Sequence, residues 1–214
     1  FHHDSAVLVP QFDPEVGQTP QNPTGLEVLR ACLLHARAKP NEKLLISGHT
    51  DTTGDKGYNV TLSGKRCKSV QHALLGERAE WVAVAMDKHR TEDHQAILKW
   101  LYLYWDWDTD PGDIDNTPGP ATDKALKHFK ETYNAVMGGK LPVNAAVDAG
   151  TWGAFFDMYM ETVADSLDTD ADGLKAWRGD LKFMDPGKKW AGCGEYFPIE
   201  DEFADNYDSE TNRR

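Results

Sequence analysis

The order of strand-like and helix-like patterns constrains the fold of this chain more than any single motif. In the first third, residues 1–10 begin with a strand pattern and then turn, and a helix is predicted over 26–38. A short buried strand follows over 44–47, and then a helix over 64–75 with Ser63 as its N-cap. A strand–helix–strand–helix opening predicts an α+β fold, in which helices cover one face of a sheet.

The middle of the chain loses the strand pattern. Helical patterns are predicted over residues 79–88, 93–104, 121–134 and 149–167, and residues 188–214 turn strand-like again. Since exposed loops tolerate insertions, we predict a discontinuous α+β domain, residues 1–76 plus 188–214, with a small all-α insertion over residues 77–187.

Composition excludes several classes of partner. The chain has 214 residues, 40% of them hydrophobic, and a formal net charge of −12 at pH 7. This acidity argues against nucleic acids and anionic membrane surfaces as partners, because both require a basic face. The chain has no run near the ~20 apolar residues of a membrane span, so we expect no direct membrane insertion of this fragment.

Catalytic and metal-binding motifs are missing. Cys32, Cys67 and Cys193 form no CxxC pair, and the sequence contains neither a zinc-protease HExxH nor a nucleophile GxSxG. The acidic run 168–173 resembles the start of a calcium loop, but Gly179 stands where that loop needs Glu, and a solvated turn is favoured. We predict no enzyme activity, cofactor or metal; one disulfide remains possible among the three cysteines.

The most specific stretch is residues 46–74. Its motif residues are Gly48-His49-Thr50-Asp51, Gly54, Asn59, Leu62-Ser63, Arg66-Cys67 and Val70. This pattern resembles the OmpA-like peptidoglycan-binding domain family. Further matches at the ends are Phe1, Asp4, Leu8 and Pro10, residues 192–199, and Asn212-Arg213-Arg214. The resemblance covers residues 1–76 and 188–214.

The resemblance implies a βαβαββ sandwich whose last strand is missing after Arg214. It also implies binding to diaminopimelate in the peptidoglycan stem peptide. The sequence departs from the family pattern at His3, which replaces Phe, and at Cys67, which replaces Ala. The connection over residues 11–24 is also longer than usual.

The chemistry of diaminopimelate suits the motif residues. Its free end carries an ammonium beside a carboxylate, so a site needs one fixed anion and one fork of donors. The resemblance places the ammonium on Asp51 and the carboxylate on Arg66, which we expect at the third position of a helix. Thr53 and Asn59 match supporting polar contacts. Asp4 and Arg213 are weaker candidates.

Part of the predicted insertion, residues 92–168, resembles the three-helix peptidoglycan-binding domain. The matching residues are Gly119-Pro120-Ala121-Thr122, Ala125-Leu126, Phe129, Val147-Asp148 and Thr151-Trp152, and Lys130 replaces the usual Gln. Taken without the resemblance, these residue types predict an N-cap at Thr122 and core positions at Phe129 and Trp152. Three roles stay open for this segment: glycan binding, a spacer, and a platform for envelope-complex proteins. The aromatic residues within 100–107 could form part of the core or a stripe that stacks on sugars.

Together these features predict a non-catalytic bacterial module that anchors a cell-envelope protein to the cell wall. Its expected location is the periplasm, associated with the outer membrane. Two alternatives remain: an interaction or targeting domain of a secretion or motor complex, and an accessory module of a cell-wall hydrolase.

Overall fold

Helices dominate the part of the chain that the computed structural model describes, residues 1–11, 24–198, 206–209 and 211–213. The elements in chain order are α1 (Gly25–Ala38), β1 (Ile46–Gly48), α2 (Lys56–Leu75), α3 (Arg78–Asp87), α4 (Thr91–Tyr104), α5 (Pro120–Met137), α6 (Ala149–Ser166), α7 (Ala171–Arg178) and β2 (Trp190–Gly192). We call α3 to α7 the helical block. These elements agree with the α+β class, and the βαβαββ sandwich stays a prediction.

The two strands form a parallel pair, with Gly48 opposite Gly192. Helix α2 packs closely on this pair, and a Cβ at Gly192 would lie 2.7 Å from the backbone nitrogen of Gly64. Glycine permits that approach because it has no side chain. The loop after β1 and the segment after β2 are therefore held together against α2, with Thr50 N donating to Gly194 O at 2.8 Å.

The strand predicted over residues 1–10 is wrong. Residues 1–11 form no strand; the N-terminal turn, residues 2–5, is closed by Ser5 N donating to His2 O at 3.3 Å, and a buried extended run follows. Backbone groups of this run bond to partners outside any strand: Ala6 N to Lys88 O, Leu8 N to Ser69 Oγ and Tyr159 Oη to Leu8 O. Residues 6–9 are buried, but their apolar side chains do not by themselves specify a strand ladder.

Helix α2 begins eight residues before the predicted Gly64 start, at Lys56. The side chain of Asp55 caps it by accepting from Tyr58 N at 3.0 Å, so the predicted N-cap at Ser63 is wrong. Ser63 lies inside the helix, where its hydroxyl donates to Val60 O and accepts from Gly194 N. Gly57, Val60 and Thr61 have low intrinsic helix propensity, but such propensities are weak against tertiary packing.

The other periodicity predictions agree with α1, α3, α4, α5 and α6 to within a few residues. Helix α7 was missed, because its N-cap lies inside the acidic run 168–173. Asp170 accepts from Gly173 N at 2.9 Å and starts the helix. Over the described ranges, no group of three or more His, Cys, Asp or Glu side chains is arranged to hold a metal ion.

One continuous set of buried apolar side chains joins α1 and α2 to the helical block. The fully buried Trp81 of α3 contacts Trp152 and Tyr159 of α6, with ring centroids 6.1 and 5.6 Å away. Trp100 and Trp107 belong to the same core, whereas Tyr102 and Tyr104 are exposed. The boundaries proposed for an inserted domain, at residues 76/77 and 187/188, remain predictions.

The three cysteines are free thiols. Cys67 is buried against the strand pair, with Sγ 3.3 Å from Ala191 O. Burial, with a smaller contribution from Cys193, raises the pKa of the Cys67 thiol to about 12. Across the described segments, none of the helices has the length and apolarity that crossing a membrane requires.

Candidate functional site

A cavity of about 150 Å³ lies between the N-terminal turn, the loop after β1, the first half of α2 and a residue near the end of the chain. All six residues predicted for the site line this cavity. They are Asp4, Asp51, Thr53, Asn59, Arg66 and Arg213. The structure therefore brings together residues that are up to 209 positions apart, Asp4 and Arg213 being the two extremes.

Asp51 is the buried anion of the cavity and is only 3% exposed. Its Oδ1 accepts from Thr53 N at 3.1 Å and from Thr53 Oγ1 at 2.6 Å, and its Oδ2 accepts from Arg213 Nη1 at 2.7 Å. Burial acts to raise the pKa of Asp51, but the hydrogen bonds from Thr53 and Arg213 outweigh it and hold the pKa below its ordinary value. Asp51 is therefore ionised at neutral pH.

Arg66 is fully buried in the middle of α2, so its expected place at the third position of the helix is wrong. Three backbone carbonyls hold its guanidinium: Ser5 O at 2.9 Å from Nε, His49 O at 2.9 Å from Nη1 and His2 O at 3.1 Å from Nη2. An arginine has five N–H donors. These carbonyls use three of them, which leaves one N–H on each terminal nitrogen of a residue that lines the cavity.

The charge of Arg66 persists despite its burial. Desolvation lowers the pKa of Arg66 to about 10, and the nearby carboxylate of Asp51 opposes that shift. The guanidinium also lies over the ring of Phe1, with Cζ 5.3 Å from the ring centroid. Arg66 is thus a protonated, rigidly held donor at neutral pH.

Two buried polar atoms in the cavity wall have no hydrogen-bond partner among the described residues. They are Arg213 Nε and Thr50 Oγ1, on side chains that are 7% and 3% exposed. Arg213 also bonds Asp51 and Asp208, and these carboxylates raise its pKa against the effect of burial. Because buried polar groups are almost always paired, unused ones in a cavity wall point to a polar ligand.

Asn59 and Asp4 also line the cavity. Asn59 Nδ2 donates to Thr53 O at 3.1 Å and lies 3.4 Å from Glu195 Oε2, so it ties the loop after β1 to the segment after β2. Asp4 accepts from the Tyr58 hydroxyl and pairs with Lys88 Nζ at 2.8 Å. Asp4 sits in a left-handed backbone conformation with φ 54°, which Asp tolerates better than most residues.

Sequence reasoning missed Thr50, Tyr58 and Glu195. Thr50 lies inside the motif Gly48-His49-Thr50-Asp51, and Glu195 lies inside the matching stretch 192–199, so both stood in recognised segments. Tyr58 lies in no matched motif. Some residues of the resemblance lie outside the described residues. They are Ile199, Arg214 and most of the connection 11–24.

The residues that suggested a three-helix module have structural roles here. Phe129 and Trp152 are fully buried, and Lys130 Nζ donates to Asn144 Oδ1 at 2.9 Å and to Ala146 O at 2.6 Å. The N-cap of α5 is Gly119, so the N-cap predicted at Thr122 is wrong. The hydroxyl of Thr122 instead accepts from Gln95 Nε2 at 3.2 Å.

Comparison with known proteins gives one finding and two negative results. No curated protein and no solved structure matches the chain. The model of the OmpA family matches residues 15–83, which include β1, α2, Asp51, Thr53, Asn59 and Arg66. This match supports an OmpA-like domain in that part of the chain.

Proposed function

We propose that this chain binds the diaminopimelate arm of peptidoglycan without covalent chemistry, and so holds a cell-envelope protein on the bacterial cell wall. The observation that carries the proposal is one small cavity walled by an ionised carboxylate, Asp51, and two guanidinium groups, Arg66 and Arg213. The OmpA-family match over residues 15–83 supports the same ligand class. The proposed location is the periplasm, on the outer-membrane side.

The free end of diaminopimelate is a zwitterion, and the cavity has a partner for each charge. In our proposal the ligand ammonium donates to the carboxylate of Asp51, while the ligand carboxylate accepts from the two remaining N–H groups of Arg66. Arg213 Nη1 donates to one oxygen of Asp51, and in this proposal the Nε of Arg213 turns to the ligand carboxylate. Thr53 and Asn59 keep the loop in shape, and Asp4 adds negative charge at the rim.

Retention on purified sacculi tests this proposal. We expect the chain to sediment with sacculi that carry meso-diaminopimelate and to be released by free meso-diaminopimelate. Sacculi with lysine at that position are the matched control, because lysine keeps the ammonium but lacks the carboxylate that Arg66 would hold.

The outcomes separate the alternatives. Equal retention on both kinds of sacculi, or no competition by the free amino acid, would mean that the cavity does not recognise diaminopimelate. Clearing of the sacculus suspension by the isolated chain would instead support the accessory role in wall hydrolysis. Absence of retention would favour an interaction domain of a secretion or motor complex.

A further inference from the structure

Asp93 is a fully buried carboxylate in the first turn of α4, in the helical block. It receives hydrogen bonds from the side chains of both end residues of the N-terminal turn: His2 Nδ1 lies 2.8 Å from Oδ1, and Ser5 Oγ donates to Oδ2 at 2.8 Å. Arg90 N also donates to Oδ2 at 2.6 Å. Asp93 thus ties the helical block directly to the segment that walls the cavity.

The same two residues of the turn hold Arg66. The carbonyl oxygens of His2 and Ser5 accept from Arg66 Nη2 and Nε at 3.1 and 2.9 Å. Side chains of the turn therefore point to Asp93, while its carbonyl groups point to Arg66. Two of the three acceptors that fix the guanidinium belong to a turn that Asp93 holds from the other side.

We infer that Asp93 is a positioning residue for the proposed ligand site, acting through the N-terminal turn to aim the guanidinium of Arg66 into the cavity. This inference rests on the proposed function. The helical block would then contribute to binding through Asp93, although Asp93 itself does not contact the ligand.

Hydrogen-bond geometry makes this arrangement sensitive. The strength of a hydrogen bond falls steeply when the angle at the hydrogen departs from linearity, so a tilt of the turn weakens both of its bonds to Arg66. A neutral amide at position 93 would keep the shape but lose the charge, and charge-assisted bonds are about twice as strong as neutral ones. The negative charge of Asp93 also favours protonated Arg66.

The test is Asp93→Asn in the full chain. We expect its affinity for meso-diaminopimelate, measured by calorimetry, to fall about tenfold, which corresponds to the loss of one well-aligned charged contact. The Nε–H signal of Arg66 in an NMR spectrum should shift and exchange faster with water, because its bond to Ser5 O loosens. Ser5→Ala should produce a smaller change in the same direction and is the second variant if Asp93→Asn does not fold.

The matched control is Asp157→Asn, also in the helical block. Asp157 accepts from Arg78 Nε at 2.8 Å and from the Tyr133 hydroxyl at 2.7 Å. Among the described residues, it makes no hydrogen bond or ion pair with the N-terminal turn. It should change stability without moving the Arg66 signal. If Asp93→Asn and Ser5→Ala both leave that signal unchanged, the inference is overturned. If the wild-type chain does not bind diaminopimelate, the proposed function is refuted instead. The NMR signal of Arg66 then still shows whether Asp93 positions its guanidinium.

Discussion

Asp51→Asn is expected to weaken binding of meso-diaminopimelate by about 10- to 150-fold and to abolish retention on sacculi. The amide keeps the size of the side chain and can still accept from Thr53, but it has no charge for the ligand ammonium. A charge-assisted hydrogen bond is worth roughly 1.5–3 kcal/mol, which gives that range of affinity. Calorimetric titration of the variant and the parent chain measures the effect.

The control for this variant is Asp180→Asn. Asp180 pairs with Arg37 at 2.8 Å on the exposed surface, away from the cavity, so its loss should leave the affinity unchanged. An Asp51→Asn chain that folds and binds meso-diaminopimelate as tightly as the parent would refute the role proposed for Asp51.

Arg66→Ala is expected to reduce the free energy of unfolding by roughly 3–5 kcal/mol, in addition to removing ligand binding. The substitution leaves the carbonyls of His2, Ser5 and His49 without their donor in a buried region. Each buried polar group that loses its partner carries a desolvation cost. Urea denaturation, followed by circular dichroism, measures the loss.

Arg178→Ala serves as the comparison for the stability effect. Arg178 is part-buried, and its Nε donates to a single carbonyl, Leu74 O, at 3.1 Å. Its removal should therefore cost clearly less than the removal of Arg66. If the two variants lose equal stability, or if Arg66→Ala loses under about 1 kcal/mol, the three backbone bonds do not have the importance assigned to them.

Helical periodicity predicted most of the helices, because a buried stripe at a period of 3.6 residues is visible in sequence alone. The start of α2 was not predictable in the same way. Asp55 and Ser63 are both good N-cap residues, and the choice depends on whether residues 56–62 can pack as a helix on the rest of the fold. The same limit applies to the N-terminal run, which was predicted as a strand but whose hydrogen-bond partners lie in distant parts of the chain.

In the candidate site, too, local motifs could be predicted from the sequence, whereas long-range contacts could not. Asp51, Thr53 and Asn59 lie within nine residues, so their motif could be recognised directly. The pairing of Asp51 with Arg213 spans 162 positions, and the bonds from Arg66 to the N-terminal turn span more than 60. Such contacts depend on the tertiary fold. Asp93 carried no signal in its own sequence neighbourhood, because its partners are residues 2 and 5.

A crystal structure of this chain with meso-diaminopimelate tests the central claim most directly. We expect the ligand ammonium within about 3 Å of an Asp51 carboxylate oxygen and the ligand carboxylate at the same distance from the terminal nitrogens of Arg66. Electron density for the ligand at any other place on the protein, with the Asp51–Arg213 pair intact and the cavity unfilled, would contradict it.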